Sequence, residues 1–78
     1  MGEKNTLRVF GGARPYTLVV EPWADEFLIA PDDHCEVVAI NAEYVPFFEV
    51  GISNEKLVVW VNEGGTTYEF WRNHVRES

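Results

Sequence analysis

Phe47-Phe48-Glu49-Val50-Gly51-Ile52-Ser53-Asn54-Glu55-Lys56-Leu57-Val58-Val59-Trp60-Val61 alternates large apolar side chains at every second position, with a turn signal at Ser53-Asn54 in its middle. Alternation of period two, with β-branched and aromatic residues on both sides of a turn, describes a β-hairpin and not a helix. The same grammar runs on through Gly64-Gly65 into Thr67 to Arg72, so a second hairpin is expected and with it a three-stranded meander. Tight hairpins dictate which residues lie opposite each other. The Gly64-Gly65 loop is expected to pair Val61 with Tyr68 and Val59 with Phe70 on one side, and Trp60 with Glu69 and Val58 with Trp71 on the other. The Ser53-Asn54 loop sets Val50 against Leu57 and Phe48 against Val59, with Phe47 facing Trp60 and Glu49 facing Val58; a one-residue slip of that loop moves the pairing by two and leaves the faces unchanged. The predicted core face is Phe48, Val50, Ile52, Leu57, Val59, Val61, Tyr68 and Phe70. The opposite face carries Phe47, Val58, Trp60 and Trp71, edged by Glu49 and Glu69. Because large contiguous apolar patches are rarely left bare in water, something must cover that second face.

Outward from this stretch the pattern persists. Strands are predicted at 7–10, 16–21, 26–30, 36–41, 47–53, 56–61 and 67–72, separated by Gly11-Gly12, Pro31-Asp32-Asp33 and the two C-terminal turns. Glu21-Pro22-Trp23-Ala24-Asp25-Glu26 has proline and acids where a first helical turn favours them, so this one stretch is compatible with a single helical turn. The fold class is all-β: a compact, mainly antiparallel β-sandwich or small barrel of about six to seven strands. At 78 residues the chain forms one domain. Residues 1–6 are expected to attach loosely and 73–78 to form a C-terminal tail.

Charge is unevenly distributed. Between Glu21 and Glu55 every charged side chain is acidic, whereas all the basic residues lie outside that block and the net charge is -7. Such a field repels phosphate and anionic lipid, which argues against nucleic acid and membrane as partners, and it favours a basic protein partner. Cys35 is the only cysteine, which rules out an intrachain disulfide and points to a reducing, cytoplasmic setting. A domain this small and without disulfides leans on other support, so a homo-oligomer is expected, with Phe47, Val58, Trp60, Trp71, Glu49 and Glu69 as the contact face.

Catalytic chemistry is not legible. Ser53 and Ser78 are the only serines and neither has a nucleophile-elbow setting, while the glycine pairs are followed by no helix that would cradle phosphate. No cofactor is implied. Asp32-Asp33-His34-Cys35-Glu36 is the one run containing every common metal-ligand type, but a strand sends His34 and Glu36 to one face and Cys35 to the other. The run from Glu26 to Glu36, followed by valines, distantly resembles the metal-bearing turn of a cupin barrel over barely a dozen residues. That resemblance implies, as an alternative function, a metal-binding or small-ligand-binding domain using His34, Glu36, Cys35 and His74.

Overall fold

A computed structural model describes residues 5–40, 47–62 and 67–78. Eight strands follow one another: β1 (Thr6–Phe10), β2 (Tyr16–Glu21), β3 (Asp25–Ile29), β4 (His34–Ile40), β5 (Phe48–Ser53), β6 (Lys56–Val61), β7 (Thr67–Arg72) and β8 (Val75–Arg76). They form two four-stranded sheets, ordered β1-β4-β7-β8 and β3-β2-β6-β5. Every pairing is antiparallel except that of β2 with β6. The chain is thus a small β-sandwich, and no helix among the described residues is long and apolar enough to cross a membrane.

The turns set the local register. Asn54 and Glu55 both take positive φ, 52° and 64°, the two-residue geometry whose twist matches a hairpin. The turn therefore sits one residue beyond the expected Ser53-Asn54 centre, and pairing moves by two: Val50 faces Val59, Phe48 faces Val61 and Glu49 faces Trp60. The faces are those predicted. Between β2 and β3 the helical turn that the composition allowed is absent, because Val20 pairs with Asp25 and leaves only a tight connection, with Ala24 at φ 60° and a cis Glu21–Pro22 bond.

Two expectations are corrected. The meander does not form: β6 pairs with β5 and β2, whereas β7 lies in the other sheet between β4 and β8. Thus Val61–Tyr68, Val59–Phe70, Trp60–Glu69 and Val58–Trp71 are not cross-strand pairs; Gly64-Gly65 itself lies outside the described residues. The physical reason is coverage. A flat meander would leave one apolar face wet, while sending β7 to the second layer lets Val59 and Val61 meet Tyr68 and Phe70 across a shared core. Residues 73–78, expected as a tail, fold back instead. Asn73 and His74, at φ 50° and 70°, make a second two-residue turn into β8, and the backbone of Glu77 and Ser78 bonds to Phe70. At the other end Thr6 already belongs to β1, and the Asn5 carbonyl accepts the Ala39 amide at 2.8 Å.

Phe70 anchors the interior, fully buried with its ring stacked on Phe27 of β3 at 4.0 Å. Next to it the Tyr68 hydroxyl donates to Asp25 Oδ2 at 2.5 Å and its ring meets Trp23 at 4.8 Å. These contacts lay β3 over β7. By strand order β2 and β6 then follow over β4 and β1, and of the inward-turned side chains of β5 only Phe48 packs against the core. Val50 and Ile52, on the inward-turned face of β5, are accordingly 54% and 79% exposed, although the core face was expected to bury them.

Asp33 ties the layers together. Its Oδ2 accepts the Ala30 amide at 2.9 Å and Arg72 Nη1 at 2.5 Å, and its Oδ1 accepts Asn73 Nδ2 at 3.2 Å. Arg72 also donates to the Leu28 carbonyl and to Glu77. Gly11 packs against this turn so closely that a Cβ there would stand 2.1 Å from the Ala30 oxygen.

Candidate functional site

The six residues expected to form one contact face are divided between opposite surfaces of the sandwich. Val58, Trp60 and Glu49 stand on the outer face of the β3-β2-β6-β5 sheet, with half-buried Phe47 just before β5. Trp71 and Glu69 belong to β7 and stand on the outer face of the other sheet. Trp60 and Trp71 therefore share no surface. The division follows from the crossing of the chain between layers after β6, since strands that sit in different sheets turn their outer faces in opposite directions.

Around Trp60 the registers of two pairings converge. The parallel β2–β6 ladder sets Glu21 beside Trp60, and the antiparallel β5–β6 ladder sets Glu49 on its other side. The indole, 47% exposed, is thus bracketed by two carboxylates. Among the described residues Glu21 has no ion-pair or hydrogen-bond partner, and Glu49 accepts only Asn62 Nδ2 at 3.3 Å. The cation of this sheet's strands, Lys56, is held by Glu26 at 3.2 Å. No basic group of the described residues stacks on Trp60; the one cation over a ring is Arg72, above Phe70.

Around Trp71 the surroundings differ. Arg8, Glu36, Trp71 and Arg76 form one row across four strands. The Trp71 Nε1–H donates to Glu69 Oε1 at 2.9 Å, and Arg76 approaches Glu69 at 3.5 Å. Charges on this surface balance. A recess of about 180 Å³ opens beside it, lined by Arg8, Phe10, His34, Cys35, Glu36, Trp71 and His74. His34, Glu36 and His74, proposed as ligands in the metal alternative, do line one recess. Yet no three His, Cys, Asp or Glu side chains among the described residues come close enough together to hold a metal ion. His34 packs edge-on against Phe10 at 5.2 Å, and Cys35 points into the core, where burial pushes its thiol pKa up.

The remaining perturbed groups are structural. Asp33 is held below the ordinary carboxylate range, first by its bond from the Ala30 amide and then by Arg72 and Asn73. Burial, followed by the bond to Asp25, pushes the Tyr68 hydroxyl well above the usual tyrosine value. None of these groups faces an open cleft with a nucleophile beside it.

Glu21 is the site residue that sequence reasoning missed. Its neighbour in space comes from a parallel pairing between distant segments, for which the chain carries no local signal. No protein-family model matches the chain, and no curated protein or solved structure is significantly similar to it.

Proposed function

We propose that this chain is a non-catalytic binding domain that engages a basic segment of a protein partner on the outer face of the β3-β2-β6-β5 sheet, with Trp60 as the anchor. The observation that supports this reading is the bracketing of an exposed indole by Glu21 and Glu49 in register on either side. An aromatic face attracts lysine or arginine through its quadrupole, and flanking carboxylates add directional charge pairing. The long-range field of a chain with net charge -7 would steer such a partner inward and would be screened by salt. The Trp71 surface offers less to a cation, because its own arginines already neutralise its carboxylates.

The test is titration with a lysine- and arginine-rich peptide, followed by calorimetry at low and physiological salt. Trp60→Ala is expected to weaken binding tenfold or more, about 1.4 kcal/mol or above. Glu21→Gln with Glu49→Gln is expected to weaken it more than Asp32→Asn with Glu36→Gln, which removes equal charge elsewhere. Equal loss from both pairs, with no effect of Trp60→Ala, would mean that only net charge binds the peptide and would dispose of the site.

A further inference from the structure

Four strand edges bound the two sheets, and three of them are defended. β1 carries Arg8 and runs into the Gly11–Pro15 connection, β3 begins with Asp25-Glu26 and lies between Pro22 and Pro31, and β8 is only two residues long. Charges, prolines and short length are the usual means of keeping an edge from pairing with another chain. β5 is the longest of the four, six residues, Phe48-Glu49-Val50-Gly51-Ile52-Ser53, and although Pro46 precedes it in sequence it carries within it no lysine or proline and no charge but Glu49. Beyond Phe48, which packs against the core, its inner face leaves Val50 and Ile52 exposed next to an apolar shelf formed with Leu57 and Tyr16.

The ladder on the other side of β5 tells which backbone groups are free. In a two-residue hairpin the residues flanking the turn form a doubly hydrogen-bonded pair, here Ser53 and Lys56, and such pairs recur at alternate positions. The Asn62 amide bonding to the Phe47 carbonyl at 2.8 Å continues that series. Phe48, Val50 and Ile52 consequently turn their backbone donors and acceptors away from β6, toward the open edge.

We infer that β5 is an interface with a second copy of this chain, the two β5 strands pairing antiparallel about a two-fold axis at Gly51. The strand is self-complementary in that register. Val50 of each copy meets Ile52 of the other on the inner face, both contributing outward-facing backbone groups. Glu49 meets the Ser53 hydroxyl and not another carboxylate, so no like charges oppose each other. Gly51 meets itself on the axis at a non-hydrogen-bonded position, where strands approach most closely, and a side chain there would find open space in the single chain. A basic extended peptide, the occupant proposed for the Trp60 face, lacks this two-fold match.

Sedimentation velocity on the intact chain from about 1 μM to about 1 mM brackets the affinity expected of a small interface. We expect a concentration-dependent dimer that strengthens with salt, because both copies carry charge -7. Binding at Trp60 should weaken with salt, so the two readings fail separately. Ile52→Lys, at a site already 79% exposed, should leave the melting temperature unchanged and shift dissociation at least tenfold. Under mild oxidation Gly51→Cys should form an intermolecular disulfide, since a non-hydrogen-bonded pair brings Cα atoms to about 4.5 Å, within disulfide range. Glu49→Cys should not, and Cys35 is too buried to interfere. A monomer at every concentration, or a dimer indifferent to Ile52→Lys, would overturn the interface; cross-linking at Val50→Cys in preference to Gly51→Cys would overturn the register.

Discussion

Val59 and Val50 are the same residue, paired directly across neighbouring strands and turned to the same face of one sheet, yet Val59 is fully buried and Val50 is 54% exposed. The difference lies in what stands opposite. Stacking of Phe27 on Phe70 lays β3 over β7, so β6 falls over β1 while β5 meets the core only through Phe48. Pairing decides which way a side chain points, whereas the overlay of two layers decides whether anything receives it. The same distinction separates the two tryptophan surfaces, since Trp60 and Trp71 have similar strand settings and face opposite directions.

Substitutions should follow coverage and not hydrophobicity. Phe70→Ala, at the centre of the covered region, is expected to cost about 3 to 5 kcal/mol in urea unfolding, whereas Ile52→Ala on the exposed part of β5 should stay within about 0.5 kcal/mol. A similar loss at both positions would mean that β5 is covered in the single chain. Gly11→Ala should come next, at about 2 kcal/mol, because its methyl group would collide with the backbone of the Ala30-Pro31 turn and the chain would have to shift there.

Acid should weaken the contacts of Asp33. Asp33 has a folded pKa below its ordinary 3.8, so its contribution is present in full above that value and is lost as pH falls through the lower folded value. The melting temperature of the wild-type chain should therefore fall more steeply below about pH 4 than that of Asp33→Asn. Parallel slopes would show that the Asp33–Arg72 contact contributes nothing. Trp60→Ala should change stability by no more than about 1 kcal/mol while the peptide affinity of the outer face drops tenfold.

Most of the strand pattern was legible because alternation, turn residues and β-branched side chains act over a few neighbours. Seven strands were located to within a residue or two, and the two-residue shift at Asn54-Glu55 left their faces intact. β8 was missed, since two residues carry no periodicity and His74 is an uncommon turn residue. The division of the aromatic face was missed for a different reason: Gly64-Gly65 looks the same whether the chain returns beside β6 or crosses to the other layer.

By itself, then, the sequence determined an all-β chain, the alternation of each strand, the burial of Val59, Val61, Tyr68 and Phe70, and a surface dominated by acid. The tertiary structure alone decided that β6 pairs with β2, that Glu21 and Glu49 bracket Trp60, that Asp33 binds Arg72 across the fold, and that β5 meets the core only through Phe48. Local steric and hydropathic preferences are written in consecutive residues. Partners brought together by a parallel pairing or by two stacked layers depend on how the whole chain minimises its exposed apolar surface, and no short segment carries that information.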